Sequence, residues 1–284
     1  MSNQKKQKLR LVTYMCPSHP VEMYELIMTY LERYTGLEAT LQYESRRAGP
    51  LPGRVDPFTD DTVDIGFMSV LSFLELLDDK NKYAELLPVT PVFRHRKNKD
   101  DVAGYYSDII IHIDGKKHVK ELLDLRGSSW AYSTEESLSG YKIVLKTLKE
   151  HGENSTFFGN TLQSGSHLQS IQMVLTKQAD AAAVDSNTLA YNKRYLQDQG
   201  KDVLVLDSIG PLPPYPIVVN SRMDGELKET IVRALKSFDK SEIWQTKFAQ
   251  YGIQKFVTNH GDSYDELRTV TEYIRDLNHA IRYY

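Results

Sequence analysis

Two short clusters of hydroxyl and glycine residues stand where a predicted strand gives way to a predicted helix. Residues 133–140 read Ser-Thr-Glu-Glu-Ser-Leu-Ser-Gly, and residues 164–167 read Ser-Gly-Ser-His. The first amides of a helix have no intrahelical acceptor and carry the positive end of the helix dipole, so each junction suits an anion. A strand predicted at 181–185 ends in Asp185. Together the three features predict one oxyanion site assembled from several loops.

A purely structural explanation competes with this one at each feature. Ser133 is followed three residues later by Glu136, so the two could form a capping box that needs no ligand. His167 by itself fits a helix start or a surface position, but its place in the second cluster favours a ligand contact. Asp185 could cap the following helix as readily as it could face a ligand, because Asp is a favoured N-cap residue.

The composition is that of an ordinary folded protein and excludes several classes of function. The chain has 284 residues, of which 40% are apolar and 26% charged, enough for one large or two medium domains. A net charge of −3 gives no basis for a nucleic-acid partner. The single cysteine, Cys16, cannot form an intrachain disulfide or a cysteine zinc site. The histidines lack metal-ligand spacing, so we expect no metal and no cofactor.

The sequence predicts neither a membrane span nor a signal peptide. No apolar run approaches the roughly 18 residues that a spanning helix needs, so no membrane insertion is expected. The basic N-terminal residues are followed by 9–16, a run too short and too polar for a signal-peptide core. As written, the chain is predicted to be cytoplasmic. It would be periplasmic or secreted if a leader had been removed.

Strand-like and helix-like segments alternate along the chain, which predicts an α/β fold with open sheets. The predicted segments include strands at 9–14 and 37–43, a helix at 21–34 and a weak strand at 156–158. After residue 214 the chain is predicted to return to the first block. This gives two lobes, residues 1–93 plus 214–284 and residues 94–213, joined by two crossing hinge strands near 87–93 and 215–219.

The C-terminal segment carries a narrow apolar stripe at helical spacing. Its members are Leu267, Val270, Ile274, Leu277 and Ile281. We expect the stripe to pack on the first lobe, because helices usually bury their apolar face within the same chain. The alternative is a free stripe that mediates dimerisation or docking, as a coiled-coil seam does.

Several segments, taken in order, also point to a known family. They are residues 11–17, 64–67, 124–127, 137–141, 164–167, 178–186, 216–219 and 251–257. Among them, 137–141 reads Ser-Leu-Ser-Gly-Tyr and 178–186 reads Gln-Ala-Asp-Ala-Ala-Ala-Val-Asp-Ser. In order and spacing these segments resemble the phosphonate, phosphite and phosphate substrate-binding proteins of ABC transporters. That resemblance implies the type II periplasmic-binding-protein fold over nearly the whole chain.

The resemblance implies a ligand that lies between the two lobes. Ser137, Ser139 and the amides around Gly140 would hold the anion, and Ser166 and His167 would meet it from the next helix. The motif departs from the family at one position, because Leu138 stands where the family has threonine.

Further contacts follow from the same resemblance. Asp185 would face a cationic or hydroxyl group at the other end of the ligand, while Tyr14, Tyr43 and Ser69 would contribute from the first lobe. Glu135 and Glu136 precede the anion motif; if either points inward it repels a dianion, and if outward it complements the helix dipole.

The function that follows is a non-catalytic solute-binding protein that closes on a small oxyanion such as a phosphonate or a phosphate ester. The sequence lacks a Gly-x-Ser-x-Gly elbow, a phosphate-binding loop and a His-Glu-x-x-His motif, so no enzyme activity is expected. A transporter or another protein is a possible partner. The alternatives are an enzyme or pyrimidine-precursor protein on the same fold, and a ligand-free interaction scaffold.

Overall fold

The chain folds into mixed sheets flanked by helices. A computed structural model describes residues 8–14, 19–154 and 156–278. The strands, in chain order, are β1 (Lys8–Tyr14), β2 (Glu38–Glu44), β3 (Ile65–Phe67), β4 (Ala84–Leu86), β5 (Thr90–Phe93), β6 (Tyr105–His112), β7 (Ser129–Tyr132), β8 (Asn160–Gln163), β9 (Ala181–Asp185), β10 (Val203–Leu212), β11 (Ile217–Asn220) and β12 (Ile253–Val257).

The longer helices alternate with these strands over most of the chain. They are α1 (Val21–Thr35), α2 (Val70–Asp78), α3 (Ile143–Glu150), α4 (His167–Leu175), α5 (Ser186–Asn192), α6 (Gly225–Leu235), α7 (Glu242–Ala249), α8 (Asp265–Tyr273) and α9 (Arg275–Asn278). A π-helical turn, Leu138–Lys142, leads directly into α3. Across the three described ranges, every helix falls short of the length and apolarity needed to cross a membrane.

The described residues divide into two compact units. The first contains the described residues up to Arg94, together with Asp101–Ala103 and Pro213–Tyr264. The second contains His95–Asp100, Gly104–Leu212 and the described residues from Asp265 onward.

The first unit is built on a five-stranded sheet with the order β2-β1-β3-β11-β4. Its strands β2, β1 and β3 are parallel, and β11 runs antiparallel to β3 and β4. Strands β3 and β11 are buried along their whole length, as expected for central strands covered on both faces, whereas the edge strand β2 is largely exposed. Helix α1 ends at Gly36, whose φ of +70° is a left-handed conformation that favours glycine.

The second unit has a sheet with the order β10-β6-β9-β7-β8. Strands β8, β7 and β9 are parallel, while β6 is antiparallel to both β9 and β10. In the core of this unit, residues of the central strands pack against the apolar face of α4. Its fully buried members include Ile110, Ala131, Ile171, Val174, Ala182 and Val184.

The predicted weak strand at 156–158 is wrong, and the strand lies instead at β8. The two phenylalanines are buried as a loop that packs on neighbouring aromatic and cationic groups. Phe158 stacks on Trp130 with ring centroids 4.5 Å apart, and the guanidinium of Arg126 lies 5.0 Å from the ring of Phe157. The two phenylalanines are therefore apolar because they are buried, and their apolar character does not indicate a strand.

The two segments predicted to form the hinge are both strands of the first unit. Strand β5 pairs antiparallel with β12, and β11 lies between β3 and β4 in the main sheet. The hydroxyl of Thr90 donates to the carbonyl of Tyr215 at 3.0 Å, so the two segments are tied together. The chain leaves this unit after Arg94, returns to it for Asp101–Ala103 and rejoins it at Pro213. That the two predicted hinge segments act as a hinge stays a prediction.

The C-terminal helix was predicted to pack on the first lobe, and the structure corrects this. Helix α8 groups with the second unit, where it packs against α3. Lys142 Nζ donates to the hydroxyl of Thr271 at 3.1 Å, and Lys149 Nζ forms an ion pair with Asp276 at 2.7 Å. The ammonium of Lys149 also lies 4.7 Å from the ring of Tyr273. These polar contacts accompany the packing of the C-terminal helices on the second unit, and the apolar stripe alone could not show which unit it faces.

The stripe itself is buried within the chain at each of its described members. These are Leu267, Val270, Ile274 and Leu277; Ile281 lies outside the described residues. Side chains buried in this way are not available to a second copy of the chain. The burial therefore gives no support to dimerisation through this stripe.

We predict that Ile274→Ala lowers the free energy of unfolding by about 2–5 kcal/mol, the usual cost of truncating a buried isoleucine. Ile274 has no exposed surface, whereas Ile243 on α7 is 68% exposed. The matched control Ile243→Ala should change stability by no more than about 0.5 kcal/mol. Urea unfolding of both variants measures the difference. Equal, small effects would show that the stripe is not buried in the monomer.

Candidate functional site

The carboxyl ends of three parallel strands of the second unit meet at one edge of its sheet. Strand β7 pairs with β8 in the register Tyr132↔Gln163, and β7 also pairs in parallel with β9. The segments that follow these strands are the two Ser/Gly clusters and the start of α5. Parallel pairing therefore brings the three sequence features to the same edge, where ligands of open α/β sheets bind.

The first cluster begins a helix with Ser137 as its N-cap residue. The Oγ of Ser137 accepts a hydrogen bond from the backbone N–H of Gly140 at 3.0 Å. The capping box proposed for Ser133 and Glu136 is therefore wrong. Glu136 and its neighbour Glu135 are exposed, so neither carboxylate turns into the cluster.

Ser139 is buried and held from two sides. Its carbonyl accepts a hydrogen bond from the hydroxyl of Ser107 on β6 at 2.6 Å. Its own Oγ lies 3.5 Å from Nε2 of His167, the first residue of α4. The two predicted anion-binding clusters are thus in side-chain contact.

Gly140 lies at the centre of these polar groups. A Cβ atom at this position would be 2.5 Å from Ser133 Oγ, 2.9 Å from Ser137 Oγ and 3.0 Å from His167 Cε1. A side chain at this position would therefore displace the two serine hydroxyls, and glycine lets them approach the helix backbone. The close approach confirms that Ser137, Ser139, Gly140 and His167 converge.

His167 is a buried, neutral hydrogen-bond group. Helix α4 starts at Ser166, whose Oγ accepts the N–H of Gln169 at 3.1 Å. Nδ1 of His167 accepts the backbone N–H of Asp185 at 3.4 Å, so the ring proton of the neutral form lies on Nε2, facing Ser139. Burial lowers the pKa of His167 to about 4, which keeps the ring neutral at physiological pH.

Asp185 is a helix cap, one of the two roles that the sequence left open. One carboxylate oxygen accepts the N–H of Asn187 at 2.8 Å and the N–H of Thr188 at 3.0 Å. The side chain is fully buried, and burial raises its pKa to about 7 against the opposing effect of these amides. A ligand-facing role for Asp185 stays a prediction.

The three candidates of the first unit also gather at one sheet edge. Tyr14 and Tyr43 lie at the carboxyl ends of the parallel strands β1 and β2, and Ser69 follows β3 at the start of α2. The ring of Tyr43 is 56% exposed, whereas Tyr14 is buried, which raises the pKa of its hydroxyl. Ser69 Oγ accepts the N–H of Ser72 at 3.1 Å as the cap of α2.

The contact of Ser139 with His167 lacks the parts of a nucleophilic site. In a catalytic triad a carboxylate orients the histidine through Nδ1–H, but here Nδ1 accepts a backbone N–H. A ring with a pKa of about 4 is also a weak base at neutral pH. Throughout the described ranges there is no group of three or more His, Cys, Asp or Glu residues that could hold a metal ion.

Sequence reasoning missed two further polar groups at this edge. The buried Oγ of Ser133 and the buried Nδ2 of Asn187 have no hydrogen-bond partner among the described residues. Ser107, which fixes the carbonyl of Ser139, was missed as well. Ser107 and Asn187 lie outside any motif, and Ser133 had a plausible but incorrect role as a cap.

Comparison with known proteins identifies a matching family and solved structures of the same fold. A sequence model of the family "ABC transporter, phosphonate, periplasmic substrate-binding protein" matches residues 11–264. A comparison with curated proteins found no match. The binding component of an ABC phosphonate transporter from Pseudomonas aeruginosa superposes with a TM-score of 0.74 at 16% identity, over 98% of this chain and 90% of that one.

Two further solved structures share the fold. PhnD1 from Prochlorococcus marinus, solved with methylphosphonate, has a TM-score of 0.70 at 12% identity and covers 96% of this chain and 100% of that one. A Candida albicans protein described as having the generic periplasmic-binding-protein fold has a TM-score of 0.59 at 12% identity, over 98% and 92% of the two chains. The likeness confirms the predicted fold class, an α/β fold of the periplasmic-binding-protein type.

The buried pair of His167 and Asp185 predicts an unusual pH dependence of stability. Between pH 4 and 6.5 the unfolded chain protonates His167 but the folded protein does not, so this residue makes stability rise with pH. Between pH 3.8 and about 7 the folded protein retains a proton on Asp185 that the unfolded chain releases, so this residue makes stability fall with pH. The two effects oppose each other.

Asp185→Asn should remove only the second effect, because the amide oxygen can still accept the two helix N–H groups. We expect the free energy of unfolding of this variant to rise more steeply with pH between about 4.5 and 6.5 than that of the wild type. His167→Gln should have the opposite effect and flatten or reverse the slope. Urea unfolding at several pH values measures both, and identical slopes in all three proteins would contradict the shifted pKa values.

Proposed function

Since the chain belongs to the family of periplasmic substrate-binding proteins of ABC phosphonate transporters, we propose that it binds a small phosphonate or phosphate-type oxyanion through the cluster of Ser137, Ser139, Gly140 and His167. As a member of this family it is a non-catalytic solute-binding protein and not an enzyme. The alternative of an enzyme on the same fold is thereby excluded.

The observation that carries the ligand proposal is the convergence around Gly140. Two serine hydroxyls lie within 3.0 Å of the position of its missing Cβ, and the neutral Nε2–H of His167 faces the third hydroxyl, that of Ser139. The first amides of the segment that begins at Leu138 lack preceding helical carbonyls. Hydroxyls, helix-start amides and an N–H donor are the groups that bind phosphate-type oxygens in proteins.

The electrostatics of the cluster also favour an anion. Glu135 and Glu136 are exposed and so place no carboxylate against the ligand; near the helix start they complement the dipole instead. The carboxylate of Asp185 is directed to the amides of α5, and its raised pKa reduces its negative charge at neutral pH. A dianion in this cluster would therefore meet mainly donors.

The remaining candidates are proposed as secondary contacts. Ser166 caps α4 with its Oγ, so it would contribute through its position at the helix start. Tyr14, Tyr43 and Ser69 are supported by their gathering at one sheet edge of the first unit, and Tyr43 has the exposed surface that a direct contact needs. Asp185 would contribute indirectly. Its carboxylate caps the start of α5, and its backbone N–H donates to Nδ1 of His167 and so orients the ring.

The cellular role follows from the family. Its members are periplasmic proteins that deliver substrate to an ABC transporter, and we propose the same location and the same kind of partner for this chain. The fit of the cluster to a phosphate-type anion supports this proposal over a scaffold that has lost its ligand.

We predict that isothermal titration with methylphosphonate or inorganic phosphate detects binding, and that Ser139→Ala weakens it roughly 10- to 150-fold. Loss of one hydrogen bond to a charged oxygen costs about 1.5–3 kcal/mol, and 1.4 kcal/mol corresponds to tenfold. The control is Ser241→Ala, because Ser241 precedes α7 in the first unit and makes no side-chain cap bond. This variant should bind as the wild type does.

The experiment can also refute the proposal. If neither methylphosphonate, inorganic phosphate nor a phosphate monoester gives heat or a thermal shift with the wild type, the proposed phosphonate or phosphate-type ligand is refuted. If binding occurs but Ser139→Ala and Ser241→Ala are indistinguishable, the ligand binds elsewhere.

A further inference from the structure

Ser133 is a buried hydroxyl whose hydrogen-bonding capacity the fold does not use. The residue follows β7 directly and is only 4% exposed. Its Oγ has no hydrogen-bond partner within the described part of the chain. Buried hydroxyls are normally paired, and an unpaired one is unfavourable, so each exception needs an explanation.

The backbone around Ser133 is held by hydrogen bonds from the second Ser/Gly cluster. The carbonyl of Ser133 accepts the N–H of Gly165 at 2.9 Å, and the carbonyl of Tyr132 accepts the N–H of Ser164 at 2.8 Å. These two bonds extend the pairing of β7 and β8 into the two Ser/Gly clusters. The neighbouring loop therefore holds the backbone of Ser133, and its side chain is buried beside that loop.

The direction in which Ser133 points is the start of the helix. Its Oγ is the atom nearest to the position of the missing Cβ of Gly140, at 2.5 Å, followed by Ser137 Oγ and His167 Cε1. The hydroxyl of Ser137 is already engaged with the N–H of Gly140. Within this described cluster, Ser133 thus supplies a hydroxyl with both its proton and its lone pairs uncommitted.

We infer that Ser133 is a ligand-binding residue whose hydroxyl donates a hydrogen bond to an oxygen of the bound oxyanion. The inference rests on the proposed function, and it adds to the helix-start motif a donor from a different element, the end of a strand. An anion on the helix start is then held from two directions. The anion supplies the hydrogen-bond partner that the described residues do not give this hydroxyl.

The test compares Ser133→Ala with Ser170→Ala by calorimetry with methylphosphonate and by thermal unfolding without ligand. Ser170 is equally buried in the second unit, but its Oγ pairs with Ser164 Oγ at 2.7 Å. Ser133→Ala should weaken binding about tenfold and leave the unfolding midpoint of the unliganded protein unchanged or higher, because it removes an unpaired polar group. Ser170→Ala should lower the midpoint and leave affinity within twofold.

A third variant, Ser133→Cys, keeps the shape of the side chain with a somewhat larger atom that donates more weakly, and we expect an intermediate affinity. If Ser133→Ala binds methylphosphonate within twofold of the wild type, the inference is wrong. The proposed function is then still tested separately by Ser139→Ala. A fall in the unfolding midpoint of Ser133→Ala equal to that of Ser170→Ala also overturns the inference, since the hydroxyl would then have a structural partner. Absence of binding by the wild type would remove both the proposed function and this inference.

Discussion

Parallel pairing of β7 with both β8 and β9 is the constraint on which the polar cluster depends. Residues 133, 164 and 186 are far apart in sequence, but each directly follows one of these strands. Parallel strands must end at the same edge, so the three following segments meet there whatever their own sequences. The short hydrogen bonds from Ser164 and Gly165 to the end of β7 then fix the two Ser/Gly clusters relative to each other.

Burial determines the charge of the groups so assembled. The backbone N–H of Asp185 donates to the ring of His167, so the two residues are in contact. Desolvation favours the neutral form of each side chain: it lowers the pKa of His167 to about 4 and raises the pKa of Asp185 to about 7. An ion pair of the two is therefore not formed at neutral pH. The histidine is left as an N–H donor, and the acid serves mainly as a helix cap.

The sequence predicted those parts of the structure that local patterns determine. Helix α1 with its glycine end, the strand ending at Asp185 and the convergence of Ser139 with His167 followed from periodicity, turn chemistry and motif. The exact helix cap did not, because Ser133 and Ser137 both suit an N-cap and only the π-helical turn after Ser137 decides between them. The packing of α8 in the second unit brings it to Lys142 and Lys149, whose partners lie more than a hundred residues away, and no local pattern contains that information.

A cluster of neutral donors has a physical advantage over one built from fixed cations in a protein that must also exist without its ligand. A buried ammonium or guanidinium left without a counter-ion costs several kcal/mol, so a basic site would have to open to water or recruit a carboxylate whenever it was empty. An unpaired hydroxyl or neutral imidazole N–H costs only about 1–3 kcal/mol. Ser133, Ser139 and His167 can therefore stay buried in the unliganded unit, and the helix start can still attract an anion through its dipole. In the proposed function, this neutrality means that the cluster would hold an anion by hydrogen bonds and the helix dipole without an ion pair, which would ease its release.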